Sequence, residues 1–363
     1  GVALLLFTIG LELPWRRLRA LGLSGALGGS LQILLTAAAT VLCAAAIGMG
    51  LGEGTTLGMI VALSSTAVVF RILADRAQID SVPGRVSVAI LLVQDVAVIP
   101  LLLLLPVIAG AGVGPDAYRG LGGAVTRGIL LIAVLFLLAR TLLPLLFNAA
   151  ATARNRELFV ILALTFCLGA TWAAHALGLS EVLGAFVAGV ALADTKFASQ
   201  MRAEIGSLRA GFLALFFVSI GMLANPAWVA RHALLVVALV AAIVVGKTAI
   251  VALVVKLVGY STRVALASGL ALAHVGELSF VVAETGRSHQ LLDPDVFRLV
   301  VSVSVLTLLL APYLIASADR LVSLARRRPA PAREGEPTEE VEAARRSGHV
   351  IVVGCGPTGL RVV

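Results

Sequence analysis

The chain has 363 residues, of which 60% are hydrophobic and 13% are charged, and its mean hydropathy is +1.04. Soluble globular domains have about 45–50% apolar and about 25% charged residues, so this composition excludes a soluble protein and indicates a polytopic membrane protein. The formal net charge of +8 does not indicate a nucleic-acid partner, because the basic residues fall in the gaps between apolar runs, as they do in membrane proteins.

About eleven apolar runs along the chain are candidate membrane spans. Such a run satisfies its backbone in lipid only as a helix or in a closed barrel, and the alternation typical of barrel strands is absent from this sequence. We therefore predict an all-α protein with helices in residues 1–13, 23–49, 55–73, 86–109, 121–147, 158–177, 180–193, 208–224, 227–258, 264–285 and 296–316. The short run 180–193 predicts a half-depth or kinked helix, and the long run 227–258 predicts a strongly tilted one.

The Lys and Arg residues are concentrated in the odd-numbered gaps between these runs. Since positively charged loops stay on the cytoplasmic side, we place these gaps and the C-terminus in the cytoplasm, with the chain in the plasma (inner) membrane. The first run is short and opens the chain, so we expect it to be a truncated span.

The composition changes after residue 325. Residues 326–347 are rich in Pro, Glu and Arg, as in a solvated linker. A short apolar strand follows at 350–353, and Gly354, Gly356 and Gly359 then form a G-x-G-x-x-G motif. This order is typical of the start of a Rossmann domain, in which glycines let the backbone approach a pyrophosphate. The chain would then have three parts: a transmembrane domain in 1–325, a linker in 326–347 and the start of an α/β domain in 348–363.

Polar and charged side chains occur near the middle of four spans. A charge at the bilayer centre costs about 2.5–3.5 kcal/mol or more, and chains that keep one there usually use it to carry a proton or an ion. We therefore predict one shared site with Asp95 as the carrier residue of a secondary ion transporter. The residues of this site are Ser64, Ser65, Thr66, Gln94, Asp95, Lys247, His274, Gly276 and Glu277.

The stretches 64–66 and 274–277 have two interpretations. Their polar groups can bond to the preceding helical turn or hold neighbouring helices together. Alternatively, they mark helices that are broken at membrane depth, as in transporters built from inverted repeats, where freed backbone groups line a cavity. In the second case, spans two to four and spans nine to eleven are paired units, each with its broken helix in the middle.

A lone Lys247 at this depth needs a counter-charge, and Asp95 and Glu277 are the candidate partners. The pair is either static and without a role in transport, or it breaks when a cation displaces Lys247 from Asp95. Gln94 offers an oxygen ligand and does not titrate. A single ionisable carrier therefore predicts electroneutral exchange of one proton for one monovalent cation.

These residues resemble the monovalent cation:proton antiporter-2 family and, within it, the Kef-type potassium efflux systems. The matching stretches are LFTIGLEL at 6–13, LSSTA at 63–67, VQDVAVIP at 93–100, LGAFVAG at 183–189, FFVSIGM at 216–222, GK at 246–247 and GELSF at 276–280. The resemblance implies an inverted-repeat antiporter fold with two broken crossing helices. It also implies a homodimer in which a core domain moves against a dimerisation domain.

The resemblance further implies that Asp95 carries the ion or proton, that the crossing helices hold 64–66 and 276–277, and that Lys247 faces the site. It implies a cytoplasmic regulatory domain that binds NAD(H) or another nucleotide, whereas transport itself needs no cofactor. The family often has Gln where this chain has His274, which could add a pH-sensitive group.

The leading hypothesis is a transporter, not an enzyme, that exchanges K⁺ (rather than Na⁺) for H⁺ by alternating access. The alternative is a nucleotide- or ligand-gated potassium efflux channel. Channel filters use rings of carbonyls or charges from several subunits, whereas this sequence has a buried acid and a buried base on broken helices. A membrane-bound nicotinamide oxidoreductase would need a complete cofactor domain and a substrate residue, and the sequence shows neither.

Overall fold

The computed structural model describes residues 2–11, 22–110, 115–152, 156–223 and 226–325. In these ranges all regular secondary structure is helical. The linker 326–347 and the motif of Gly354, Gly356 and Gly359 lie outside the described residues. The nucleotide-binding domain therefore stays a prediction.

Fourteen helices make up the described part of the chain. In chain order they are α1 (Val2–Leu11), α2 (Gly22–Ala46), α3 (Leu51–Ala62), α4 (Thr66–Asp75), α5 (Val82–Gly110), α6 (Pro115–Thr152), α7 (Arg156–Ala176), α8 (Glu181–Ala193), α9 (Ala198–Leu223), α10 (Pro226–Arg231), α11 (Ala233–Leu257), α12 (Thr262–Ala271), α13 (Glu277–Ser288) and α14 (Pro294–Ala325). Every predicted apolar run coincides with one helix or with a consecutive pair. Within the described residues, seven helical segments are long and apolar enough to cross a membrane, with α3 and α4 counted as one. The prediction of an all-α protein with many membrane spans is confirmed.

The run 227–258 is not the single long helix that we predicted. His232 (φ −111°, ψ 23°) leaves the helical conformation and separates α10 from α11. The 25 residues of α11 suffice to cross a bilayer, which needs about 20. The excess length that predicted a strong tilt is therefore taken up by the separate helix α10. In contrast, the prediction of a short helix at 180–193 is confirmed by α8, which has 13 residues.

Two helices are interrupted at the predicted places. Between α3 and α4 the backbone is extended, with Leu63 at φ −84°, ψ 142° and Ser65 at φ −82°, ψ 112°. The hydroxyl of Ser65 accepts a hydrogen bond from Val68 N at 3.2 Å and so begins α4 as its N-cap. Residues 272–276 separate α12 from α13 in the same way. The alternative of two unbroken helices with hydroxyls bonded to the preceding turn is therefore wrong.

The helices pack in two groups. The first group contains α2 to α5 and α11 to α14 and surrounds both interruptions, and the second contains α1 and α6 to α9. Val236, Val240 and Val303 are buried between α11 and α14 of the first group, whereas the largest apolar cluster contains side chains of both groups, such as Phe186 and Ile60. Helix α5 belongs to the first group and also contacts α6 and α8 of the second. It is therefore one of the places where the two groups are in contact.

Two glycines allow α1 and α8 of the second group to approach closely. A Cβ atom on Gly189 would lie 2.9 Å from Leu11 N and 3.0 Å from Gly10 Cα, and a Cβ on Gly10 would lie 2.9 Å from Val190 N. Real Cβ atoms do not come this close to backbone. Small residues of this kind drive helix packing in membranes, because lipid tails supply no hydrophobic force between helices.

We expect Gly189→Ala to lower the melting temperature of the detergent-solubilised protein, because the added methyl group forces α1 and α8 apart. Overpacking of this kind costs about 1–3 kcal/mol. The matched control is Gly169→Ala on α7, where a Cβ would meet no atom within 4 Å. An equal change in melting temperature for both variants would contradict the close packing of α1 on α8.

Candidate functional site

The two interrupted segments, residues 63–65 and 272–276, lie against each other. Gly276 N–H donates to Leu63 O at 3.2 Å, and Ser64 Oγ donates to Leu272 O at 3.0 Å. A Cβ atom on Gly276 would lie 2.5 Å from Ser64 O and 2.6 Å from Ser65 N. The crossing of the two segments therefore requires glycine at position 276, and this is the physical reason for the Gly-Glu pair noted in the sequence.

Lys247 of α11 lies at this crossing and is 1% exposed. Its Nζ donates to Leu63 O at 3.0 Å, to Ser64 Oγ at 3.0 Å and to His274 O at 2.7 Å. An ammonium group has three donors, so uncharged oxygens use all of them. In this state the hydrogen bonds of Lys247 go to the two interrupted segments and not to Asp95 or Glu277, and its role as a counter-charge stays a prediction.

The peptide N–H groups that the interruptions free also have partners. Three such bonds are present: from Ser64 to Gln94 Oε1 (2.8 Å), from Ser65 to His274 Nε2 (3.0 Å) and from Val275 to Thr307 Oγ1 (3.1 Å). A buried N–H without a partner costs about 1–3 kcal/mol. In lipid this cost is met only by the protein itself, so these side chains make the irregular backbone stable at membrane depth.

The imidazole of His274 is fully buried, and its contact with Ser65 fixes its tautomer. Because Nε2 accepts from a peptide N–H, it carries no proton, and the ring hydrogen is on Nδ1. Protonation of Nε2 would set two N–H groups against each other. His274 thus holds the backbone of the first interruption, and its predicted contribution to pH sensitivity stays a prediction.

Asp95 of α5 lies at the N-terminal end of α4 and is 2% exposed. Thr66, the first residue of α4, places its Oγ1 at 3.0 Å from Asp95 Oδ1 and at 2.9 Å from Asp95 Oδ2. The partial positive charge of a helix N-terminus stabilises a carboxylate at this position. Carboxylate and hydroxyl oxygens beside an unwound backbone are groups that bind a monovalent cation in transporters.

Glu277 occupies the position in α13 that Thr66 occupies in α4, since each is the first residue of the half-helix after an interruption. It is buried, and a carboxylate there is favoured by the N-terminus of α13. Ser279, two residues after Glu277, donates a hydrogen bond from its hydroxyl to Ile60 O at 2.7 Å and so connects α13 to α3. The structure thus groups all the predicted site residues around one crossing.

Two residues of the network are absent from the sequence-based prediction. Gln32 of α2 accepts from Gln94 Nε2 at 2.6 Å, and Thr307 of α14 accepts from Val275. The sequence could have indicated Gln32, because it is a lone amide in the apolar run 23–49. Thr307 had none, because hydroxyl residues are common in membrane helices.

We expect Lys247→Met to destabilise the protein, because buried His274 O loses its ammonium donor and Leu63 O keeps only the donor Gly276 N–H. Each buried oxygen left unsatisfied costs about 1–3 kcal/mol. The measurement is thermal unfolding in detergent. Lys256→Met is the matched control, since Lys256 is exposed on the same helix. Equal melting temperatures for the two variants would show that Lys247 does not hold the crossing.

The chain matches a family model described as "Sodium/hydrogen exchanger, transmembrane" over residues 1–317. It is 34% identical to K(+) efflux antiporter 4 of Arabidopsis thaliana over 326 residues, which are 89% of this chain and 55% of that protein. It is 30% identical to the putative K(+) efflux antiporter KefB of Alkalimonas amylolytica over 362 residues, 99% of this chain and 54% of that protein. It is 32% identical to the putative cation/proton antiporter YbaL of Escherichia coli K12 over 329 residues, 89% of this chain and 59% of that protein.

The chain therefore spans about half the length of the curated relatives it matches. The match of the family model covers most of the chain, including both interrupted helices and the residues of the crossing. The resemblance to Kef-type cation:proton antiporters, noted from the motifs, is confirmed by these relatives. This chain belongs to the sodium/hydrogen exchanger transmembrane family.

Proposed function

We propose that the protein exchanges a monovalent cation, K⁺ rather than Na⁺, for H⁺ across the membrane, with Asp95 as the carrier residue. The observation that carries the proposal is a buried carboxylate at the start of a half-helix, beside two crossing interrupted segments. The relatives named K(+) efflux antiporter and cation/proton antiporter support these substrates. The reaction is transport and not enzymatic conversion.

The coupling follows from competition for one carboxylate. Ionised Asp95 attracts a cation, and Thr66 Oγ1, which contacts both carboxylate oxygens, can turn a lone pair towards that cation. A proton on Asp95 removes the charge that holds the cation. Because proton and cation do not occupy the carboxylate together, each crossing of the membrane carries one or the other.

The two groups of helices supply the moving parts of the proposed cycle. The first group holds the crossing as one hydrogen-bonded unit through Lys247, Gln94 and His274. We place the alternating access in a movement of this group against α1 and α6 to α9. The helices α2–α5 form three spans, as do α11–α14, and in each set the middle span is divided into two half-helices. This arrangement supports an inverted-repeat antiporter fold.

The remaining features of the proposal rest on the motifs and the basic loops. The protein acts as a homodimer in the plasma (inner) membrane with its C-terminus in the cytoplasm. The domain that begins at residue 348 binds NAD(H) or another nucleotide and regulates exchange. Transport itself uses no cofactor.

We expect Asp95→Asn to abolish exchange. The full-length parent protein is reconstituted in vesicles, a K⁺ or Na⁺ gradient is imposed, and lumenal pH is followed. An amide at position 95 can neither release a proton nor balance a cation, so lumenal pH should not change. The control is Asp75→Asn, an exposed residue at the end of α4. Cation flux in the wild type without coupled proton movement would contradict exchange and favour a gated channel.

We also expect exchange to be electroneutral, because Gln94 does not titrate and the proposed competition between proton and cation takes place on one carrier residue, Asp95. A cation concentration jump on proteoliposomes adsorbed to a solid-supported membrane should then give no sustained current. The same vesicles should still show a change in lumenal pH. A sustained current whose size follows the cation concentration would require a second charge in the cycle.

A further inference from the structure

Two glutamines connect α2 with the crossing through a chain of amide hydrogen bonds. Gln32 is fully buried in the middle of α2, and Gln94 is 1% exposed on α5. Gln94 Nε2 donates to Gln32 Oε1 at 2.6 Å. Gln32 Nε2 in turn donates to Thr36 Oγ1 at 3.1 Å and to Ala62 O at 3.1 Å.

The chemistry of the two amides leaves them a single orientation. Ser64 N–H is a donor, so the atom of Gln94 that meets it is Oε1, and Gln94 Nε2 is turned towards Gln32. The atom of Gln32 that accepts from it is then Oε1. This leaves Nε2 of Gln32 with two hydrogens, for which Thr36 Oγ1 and Ala62 O are the acceptors.

The chain of bonds holds both sides of the first interruption. Ala62 is the last residue of α3, and its carbonyl is one of the groups left without an intrahelical partner at a helix end. Ser64 N–H is the first freed donor on the other side. Thr66 follows two residues later and contacts Asp95. The position of Thr66 Oγ1 against the carboxylate is therefore set from α2, at a distance from the carboxylate itself.

We propose that Gln32 is a positioning residue of the cation site, acting through Gln94 and Ser64 on the contact between Thr66 and Asp95. This inference rests on the proposed function of Asp95. The inference also changes the role of Gln94, whose side-chain oxygen the sequence offered as a cation ligand. In this state Oε1 accepts a hydrogen bond from Ser64 N–H and is not free to bind a cation.

The first variant is Gln32→Met, which keeps the approximate volume of the side chain and removes its hydrogen bonds. Without the hydrogen bonds of the amide, the extended segment 63–65 between α3 and α4 can shift. A displacement of about 1 Å at a reacting group can cost on the order of a hundredfold, and we expect the apparent KM for K⁺ to rise on the order of tenfold or more. The maximal exchange rate should change much less, because Asp95 remains.

The second variant is Gln32→Glu, and it makes a prediction that a purely structural role would not. A protonated glutamic acid accepts from Gln94 Nε2 and donates to Ala62 O, as the amide does. Ionised glutamate has no donor and faces Ala62 O with a negative charge. The apparent KM for K⁺ of Gln32→Glu should therefore be close to the wild-type value at acid pH and rise relative to the wild type as the pH is raised.

The matched control is Thr40→Val on the same helix, where the hydroxyl bonds only to Thr36 O of its own helix at 2.9 Å. Its KM should equal the wild-type value. An unchanged KM in Gln32→Met, or an equal rise in Thr40→Val, would overturn the assignment. If Gln32→Met does not fold, a Gln32→Glu variant with the pH dependence of the wild type would overturn it in its place.

The failure of the proposed function would look different. Wild-type protein that shows no exchange would contradict the role of Asp95 in transport. The positioning role of Gln32 would then be tested by cation binding alone. The measurement is the rise in melting temperature with K⁺ concentration, since a ligand that binds the folded state stabilises it. The same dependence on K⁺ concentration in wild type and Gln32→Met would overturn the positioning role.

Discussion

Lys247 Nζ donates to Leu63 O, Ser64 Oγ and His274 O, and the crossing of the two interrupted helices depends on these three hydrogen bonds. A broken helix exposes peptide groups that water would solvate in a soluble protein. The bilayer core contains no such water, so the protein has to supply every partner. One ammonium group reaches both segments at once because it has three donors on a flexible stem.

The same requirement explains why so many polar side chains lie at membrane depth in this chain. Gln94, His274 and Thr307 each bind one freed peptide N–H, and Gln32 binds the carbonyl at the end of α3. Gln94, Thr307 and Gln32 lie on three different helices, which they connect to the interruptions, and His274 belongs to the second interruption itself. The contact between Thr66 and Asp95 is of another kind, because it joins a hydroxyl to a carboxylate, where charge can be gained and lost. The proposed exchange uses this carboxylate, and the polar frame holds the backbone beside it in place.

Glycine has an equally specific part in the structure. At Gly276 the second interruption touches the backbone of Ser64, and at Gly189 helix α8 touches the backbone of α1. In both places the neighbour is backbone and not a flexible side chain, so no adjustment of rotamers makes room for a methyl group. Gly276 allows the two interrupted segments to cross. Gly189 allows α1 and α8 to pack in the second group of helices, against which the first group is proposed to move.

The sequence by itself determined the helical class and the positions of the apolar runs, and it marked the two places where a helix is interrupted as one of two interpretations. These features are local: apolar runs select helices in lipid, and hydroxyl residues or glycine within a run mark where a helix ends. The sequence also indicated nearly all of the polar residues at the crossing, because a polar side chain is conspicuous in an apolar run.

Only the tertiary structure decided which polar side chain forms a hydrogen bond with which backbone group. Lys247 and Leu63 are far apart in the chain, as are Gln32 and Ala62, and the pattern within a span does not say which face of a distant helix it meets. Opposite charges favoured a pair between Lys247 and a carboxylate, whereas in the folded chain the ammonium donates to Leu63 O, Ser64 Oγ and His274 O. The division of α10 from α11 falls at Arg231 and His232, two polar residues within the run 227–258 that the sequence-based prediction did not use as a helix boundary.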